Sequence, residues 1–147
     1  MTAHVSAALR RLVIERARER CEYCLLPQWF ATHAHEPDHI VPTQHDGTTD
    51  EDNLALACFR CNRNKGPNVG SFDPMTGELT SFFHPRKHTW AEHFYLREAE
   101  IVTLTAEARV TIKILGLNAP DRIAERRQLL QMGVYPSIDK IDKEGTL

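Results

Sequence analysis

CEYC, residues 21–24, governs how the chain around it is read. Its thiols, Cys21 and Cys24, are three positions apart, and the same spacing returns in Cys58 and Cys61, which complete the chain's four cysteines. Such pairs make either two disulfides or one tetrahedral zinc site. The preceding stretch, MTAHVSAALRRLVIERARER, is broken by charge every few residues and lacks the apolar centre of a secretory signal. A cytoplasmic location follows as the expectation, and thiols there stay reduced. Cys21, Cys24, Cys58 and Cys61 are therefore assigned to a structural Zn2+. Four thiolates leave no open coordination position, so this ion should hold the fold and perform no chemistry.

At 147 residues and 41% hydrophobic, the chain suits one domain, or a small domain with appended elements. No apolar run approaches membrane-spanning length, so no membrane association is expected. The net charge of −2 does not by itself mark a nucleic-acid binder, but the charge is unevenly spread. Arg10 to Arg20 holds five arginines against two glutamates, and Cys58 to Lys65 holds Arg60, Arg63 and Lys65 without an acid. Between them, Glu36 to Asp52 holds six acids and no Lys or Arg. A basic surface beside an acidic pocket suits a polyanion held against a metal ion; ordinary solvated faces would show the same counts.

The remaining pattern predicts an α+β fold. Ser6 caps a helix with Leu9, Leu12, Val13 and Ala17 on one face. Ile40-Val41-Pro42 reads as a short strand, Asn53 to Ala57 as a second strand ending at Cys58, and Cys61 to Lys65 as a helix closed by Gly66-Pro67. Ser71 to Leu79 reads as a hairpin, and Phe82, Phe83, Trp90, Phe94 and Tyr95 as a second small core. A strand at Ile101 to Leu104, a helix capped by Thr105 and ending at Gly116, and a helix from Pro120 to Met132 complete the pattern. The division is 1–20 for the N-terminal helix, 21–66 for the metal-pinned core, 67–136 for a hairpin and helical extension, and 137–147 for a flexible tail.

HEPDHIVP, residues 35–42, sets Asp38 beside His39. Asn53 lies fourteen positions beyond His39, and Asn62 nine beyond that. A strand–strand–helix unit pinned at both ends by the cysteine pairs would gather Asp38, His39 and Asn62 at one concave end.

CEYC, PDHIVP, DNLALAC and CNRNKG, in this order and spacing, resemble the HNH endonuclease family over residues 21–66. The resemblance implies a ββα-metal, treble-clef-like core. Asn62 stands where many members carry their last histidine, a change that other members share. FDPMTGEL through FFHPRKHTWAEHF to LTAEARVTIKILGLN also looks like the C-terminal extension of stand-alone bacterial HNH proteins.

The implied activity is hydrolysis of DNA phosphodiester bonds. Imidazole titrates near neutrality, so His39 can take the proton of water as general base. Asp38 and the Asn62 carbonyl are hard oxygen ligands suited to a catalytic Mg2+ or Mn2+, which acts as a Lewis acid. Asn53 joins His39 in the catalytic set as the residue that, in the family, braces the intervening loop and so orients the histidine. Arg63 and Lys65 are assigned to substrate phosphate.

The other histidines are weaker candidates. His35 is read as a loop residue near the pair, and His33 and His45 count for less. His84, His88 and His93 are placed at a core edge or surface, and Trp90 with Phe94 in packing. The competing class is a zinc-scaffolded nucleic-acid-binding module without catalysis. RNA as substrate, a homodimer and a protein partner are left open.

Overall fold

The computed structural model describes residues 4–135, so the tail expected at 137–147 lies outside the described residues. α1 (Ala7–Arg16) begins where Ser6 Oγ accepts the Leu9 amide at 3.1 Å, the expected cap. Val13 and Ala17 are buried with Leu54 and Leu56 of β2 (Leu54–Ala57), whereas Leu12, expected on the same face, is exposed. Arg16 fixes the helix by donating to the Glu51 carbonyl at 2.9 Å and the Leu54 carbonyl at 2.7 Å.

β1 (Glu36–His39) pairs antiparallel with β2, with Asp38 opposite Ala55 and His39 opposite Leu54. The first strand therefore precedes Ile40-Val41-Pro42, where it was expected. The ladder stops there because the Asn53 side chain takes over: its carboxamide pairs with both the amide and the carbonyl of Val41, each at 2.9 Å. Side chains alternate along β2. Leu54 and Leu56 face α1, while Ala55 and Ala57 join the cluster that holds the cysteines, so the strand is buried on both faces.

α2 (Phe59–Lys65) is capped by Cys58, whose sulfur accepts the Cys61 amide. The helix thus starts two residues before the expected Cys61, and Asn62 lies inside it.

Beyond α2, β3 (Gly70–Phe72) and β4 (Leu79–Ser81) form the expected hairpin. A Cβ on Gly70 would fall 2.2 Å from the Thr80 carbonyl oxygen, so only glycine permits this approach. α3 (Trp90–His93), the β5 (Phe94–Arg97)/β6 (Glu100–Thr103) hairpin, α4 (Ala106–Leu115) and α5 (Pro120–Gln131) follow. The aromatic residues do not form a second core. Phe82, Phe83, Trp90 and Phe94 pack in one cluster with the cysteines, and Tyr95 is only half-buried. The reason is local: the Trp90 indole donates to the Tyr23 carbonyl at 3.0 Å, tying the extension into the CEYC turn. Three two-stranded sheets among helices make the fold α+β. Among the described residues no helix is long and apolar enough to cross a membrane.

Candidate functional site

The four cysteine sulfurs lie within 4.8 Å of one another, and all four residues are buried. Sulfurs held about 2.3 Å from a zinc ion sit about 3.8 Å apart at the corners of a tetrahedron. The Cys24–Cys58 sulfur distance is 3.7 Å. The first cysteine of each pair accepts the amide of the second, Cys21 from Cys24 at 3.5 Å and Cys58 from Cys61 at 3.4 Å. No disulfide forms. These four residues are arranged to bind a metal ion, and the donor set and spacing fit structural zinc.

Burial pushes the Cys21 and Cys61 thiols up from their usual range, so a bare thiolate cluster would be unfavourable here. α5 supplies part of the compensation. Arg122 donates to the Cys61 sulfur at 3.1 Å and sends its other terminal nitrogen to the Leu115 and Gly116 carbonyls at 2.8 and 3.2 Å. Burial opposes its charge, but the Cys61 and Cys24 sulfurs more than offset that, and its pKa is raised. Arg126, one turn on, donates to the Ala99 carbonyl at 2.8 Å, and the Tyr135 hydroxyl donates to the Cys24 carbonyl. Arg122 of α5 and Tyr135 thus pack against the cysteine cluster.

At the other end of the β1–β2–α2 unit is a cavity of about 550 Å³. Asp38, His39 and Asn62 all line it, together with Glu36, Thr43 and, from the α1 side, Arg10. The antiparallel register puts the Asp38–His39 pair at the end of the ladder, and the second turn of α2 brings Asn62 to the same space. Among the described residues the Asn62 carboxamide has no hydrogen-bond partner.

Asp38 is 6% exposed. Its Oδ2 accepts from the Tyr23 hydroxyl at 3.1 Å and pairs with Lys65 Nζ at 3.2 Å, while Oδ1 has only a 3.5 Å contact with the same ammonium. Burial pushes the Asp38 carboxyl up, and Lys65 pulls it back towards the ionised form. Oδ1 is the oxygen with capacity left for a cation.

Lys65 is not at the surface where a phosphate contact was expected. It is 1% exposed, and it also donates to the His39 carbonyl at 2.9 Å. Arg63 remains exposed, but it lies over the Phe59 ring, 5.8 Å from its centroid, and does not line the cavity.

The His39 ring contacts the Thr49 hydroxyl through Nε2 at 2.9 Å. Thr49 belongs to the loop that Asn53 fastens. Besides its two bonds to Val41, Asn53 donates to the Thr48 carbonyl at 2.8 Å. Gly47 makes this closure sterically possible, since a Cβ there would fall 1.7 Å from the Val41 carbonyl oxygen.

His4 also lines the cavity, and the remaining histidines lie elsewhere. His35 is buried and contacts the Leu26 carbonyl at 2.8 Å; His33 stacks on Phe59; His45 contacts the Pro67 carbonyl at 3.1 Å. His88 and His93 stack with centroids 4.7 Å apart, and His93 contacts Thr105 at 2.6 Å. Tyr23, Thr49, Arg10 and Arg122 were not among the expected site residues, although Tyr23 lies inside CEYC and Arg10 opens the basic run to Arg20.

The family model described as HNH endonuclease matches residues 21–68, which hold both cysteine pairs, β1, β2 and α2. No curated protein matches the chain. The HNH match points to a nuclease-type or nucleic-acid-related function, and the matched residues include the four cysteines arranged to bind a metal ion.

Proposed function

We propose that the protein is a metal-dependent HNH endonuclease that hydrolyses DNA phosphodiester bonds. The observation that carries this reading is the convergence of Asp38, His39 and Asn62 on one cavity, opposite a four-thiolate cluster. Asp38 Oδ1 and the Asn62 carbonyl oxygen would hold a Mg2+ or Mn2+ ion, a hard-donor set that fits such ions. When bound, the ion supplies Lewis-acid stabilisation of charge at the phosphate and the departing 3′ oxygen.

His39 is the general base. Thr49 occupies its Nε2. The tautomer with its proton on Nε2, donated to Thr49, leaves the Nδ1 lone pair for the proton of water. Lys65 pulls Asp38 towards the ionised form from behind and holds the carbonyl of His39, a positioning task. Asn53 acts one step further out, through the 48–49 loop segment. Hydrolysis in this sense leaves 3′-hydroxyl and 5′-phosphate ends. The zinc-pinned unit serves as scaffold, and a reducing cytoplasm suits its thiolates.

Plasmid nicking tests this directly. Wild type nicks with Mg2+ or Mn2+, and the nick is sealed by ligase. Asp38→Ala and Asn62→Ala lose the metal-dependent rate while retaining zinc. A protein that binds DNA across several divalent ions and never cuts it would be the non-catalytic binding module instead.

A further inference from the structure

We infer that Arg10, on the N-terminal helix outside the matched segment, is the phosphate-binding residue of this cavity and that Glu36 holds its place until DNA arrives. The inference rests on the nuclease reading above and assigns that site's contact to the substrate backbone.

Among the described residues Arg10 is the one arginine or lysine that lines the cavity. The two basic residues nearest the motif are otherwise engaged, Lys65 buried against Asp38 and Arg63 over Phe59. A site that binds a phosphodiester needs a cation facing the reacting group, and α1 supplies it. The helix is a rigid mount: Val13 and Ala17 are buried against β2, and Arg16 is bonded to two carbonyls of the same unit.

From this mount Arg10 Nη1 reaches the Glu36 carboxylate at 2.7 Å, with the two side chains 42% and 51% exposed. Glu36 lies on β1, two residues before Asp38, and lines the same space. An exposed pair of this kind is a weak tie. A guanidinium recognises carboxylate and phosphate by the same fork of donors, so a phosphate oxygen can replace Glu36 without rebuilding the site. The pair therefore aims Arg10 across the cavity mouth in advance of substrate.

Opposite-signed effects separate this role from a structural one. Binding of a labelled DNA duplex is measured by anisotropy with Mg2+ present, in the full chain carrying His39→Ala. Arg10→Gln should weaken binding about eightfold at about 0.1 M salt and lower the salt slope by about 0.9, the loss of one phosphate contact. Glu36→Gln should tighten binding, and that gain should vanish when Arg10→Gln is also present.

Three results would overturn the inference: an unchanged slope in Arg10→Gln, weakening by both single variants as for a helix-docking ion pair, or tightening by Glu36→Gln that persists without Arg10. Nicking by wild type in the same assay buffer separates the layers. If wild type cuts while Arg10→Gln binds normally, only the Arg10 assignment falls. If wild type neither binds nor cuts, the nuclease reading falls and takes this inference with it.

Discussion

Replacing Asn53 by alanine removes three hydrogen bonds at once, two to Val41 and one to the Thr48 carbonyl, all between 2.8 and 2.9 Å. Each is worth about 1 kcal/mol net when lost. Thr48 is exposed and Val41 half-buried, so water replaces part of what is removed. The expected destabilisation is about 2–3 kcal/mol, or a melting point lower by about 4–12 °C for a domain of this size. Urea unfolding of zinc-saturated protein, compared at constant m, measures it.

The same change frees the segment carrying Thr49, which holds the His39 ring, so the cleavage rate should fall even where the protein remains folded. Asn53→Asp sharpens the test. It keeps one acceptor for the Val41 amide but turns a charge towards two carbonyls, so at neutral pH it should be at least as damaging as alanine. Burial among acceptors raises the folded-state pKa of the introduced carboxyl. Its stabilising contribution is therefore complete below the unfolded value near 4 and lost as pH rises through the folded value. Relative to Asn53→Ala, stability should recover as pH falls. A loss below about 0.5 kcal/mol in Asn53→Ala, with an unchanged cleavage rate, would refute the idea that this side chain holds the loop.

Arg122→Leu strands the Leu115 and Gly116 carbonyls and removes the guanidinium that faces the Cys61 sulfur. It should lower stability by about 3–5 kcal/mol and zinc affinity about 10–100-fold, measured by urea unfolding and chelator competition. Zinc stripping should change Trp90 fluorescence, because its indole is bonded to the Tyr23 carbonyl between the first two thiols. Arg109 grips Asp73 through two 2.8 Å bonds and holds its carboxyl well below the usual range. That contribution is present above the unfolded pKa near 3.9 and lost as pH falls through the lower folded value. The stability gap between wild type and Asp73→Asn should therefore close on acidification, read from urea midpoints at neutral and acid pH.

The site was legible where chemistry demands particular residue types at fixed spacing. Two cysteine pairs define a tetrahedron, and the separation of His39, Asn53 and Asn62 sets the length of two strands and a helix turn. Element boundaries were less legible because side chains replace backbone there. The Asn53 carboxamide takes over from the ladder at Val41, and the Cys58 sulfur starts α2 before Cys61. The role of the extension was hidden for another reason. The buried face of α5 is Arg122, Arg126 and Leu129, a helical spacing occupied by residues that usually mark a solvated face. Lys65 misled in the same way: a basic residue next to a motif reads as a phosphate contact, yet this one is 1% exposed beneath Asp38.

In the proposed mechanism a thiolate-clamped hairpin presents His39 to a phosphodiester beside Asp38 and Asn62. Single-turnover cleavage of a labelled duplex with Mn2+, by wild type and His39→Ala, tests it, with zinc measured in the same samples. One zinc per chain is expected in both proteins, with a rate at least about 100-fold lower in the variant. Equal rates at equal zinc content would contradict it.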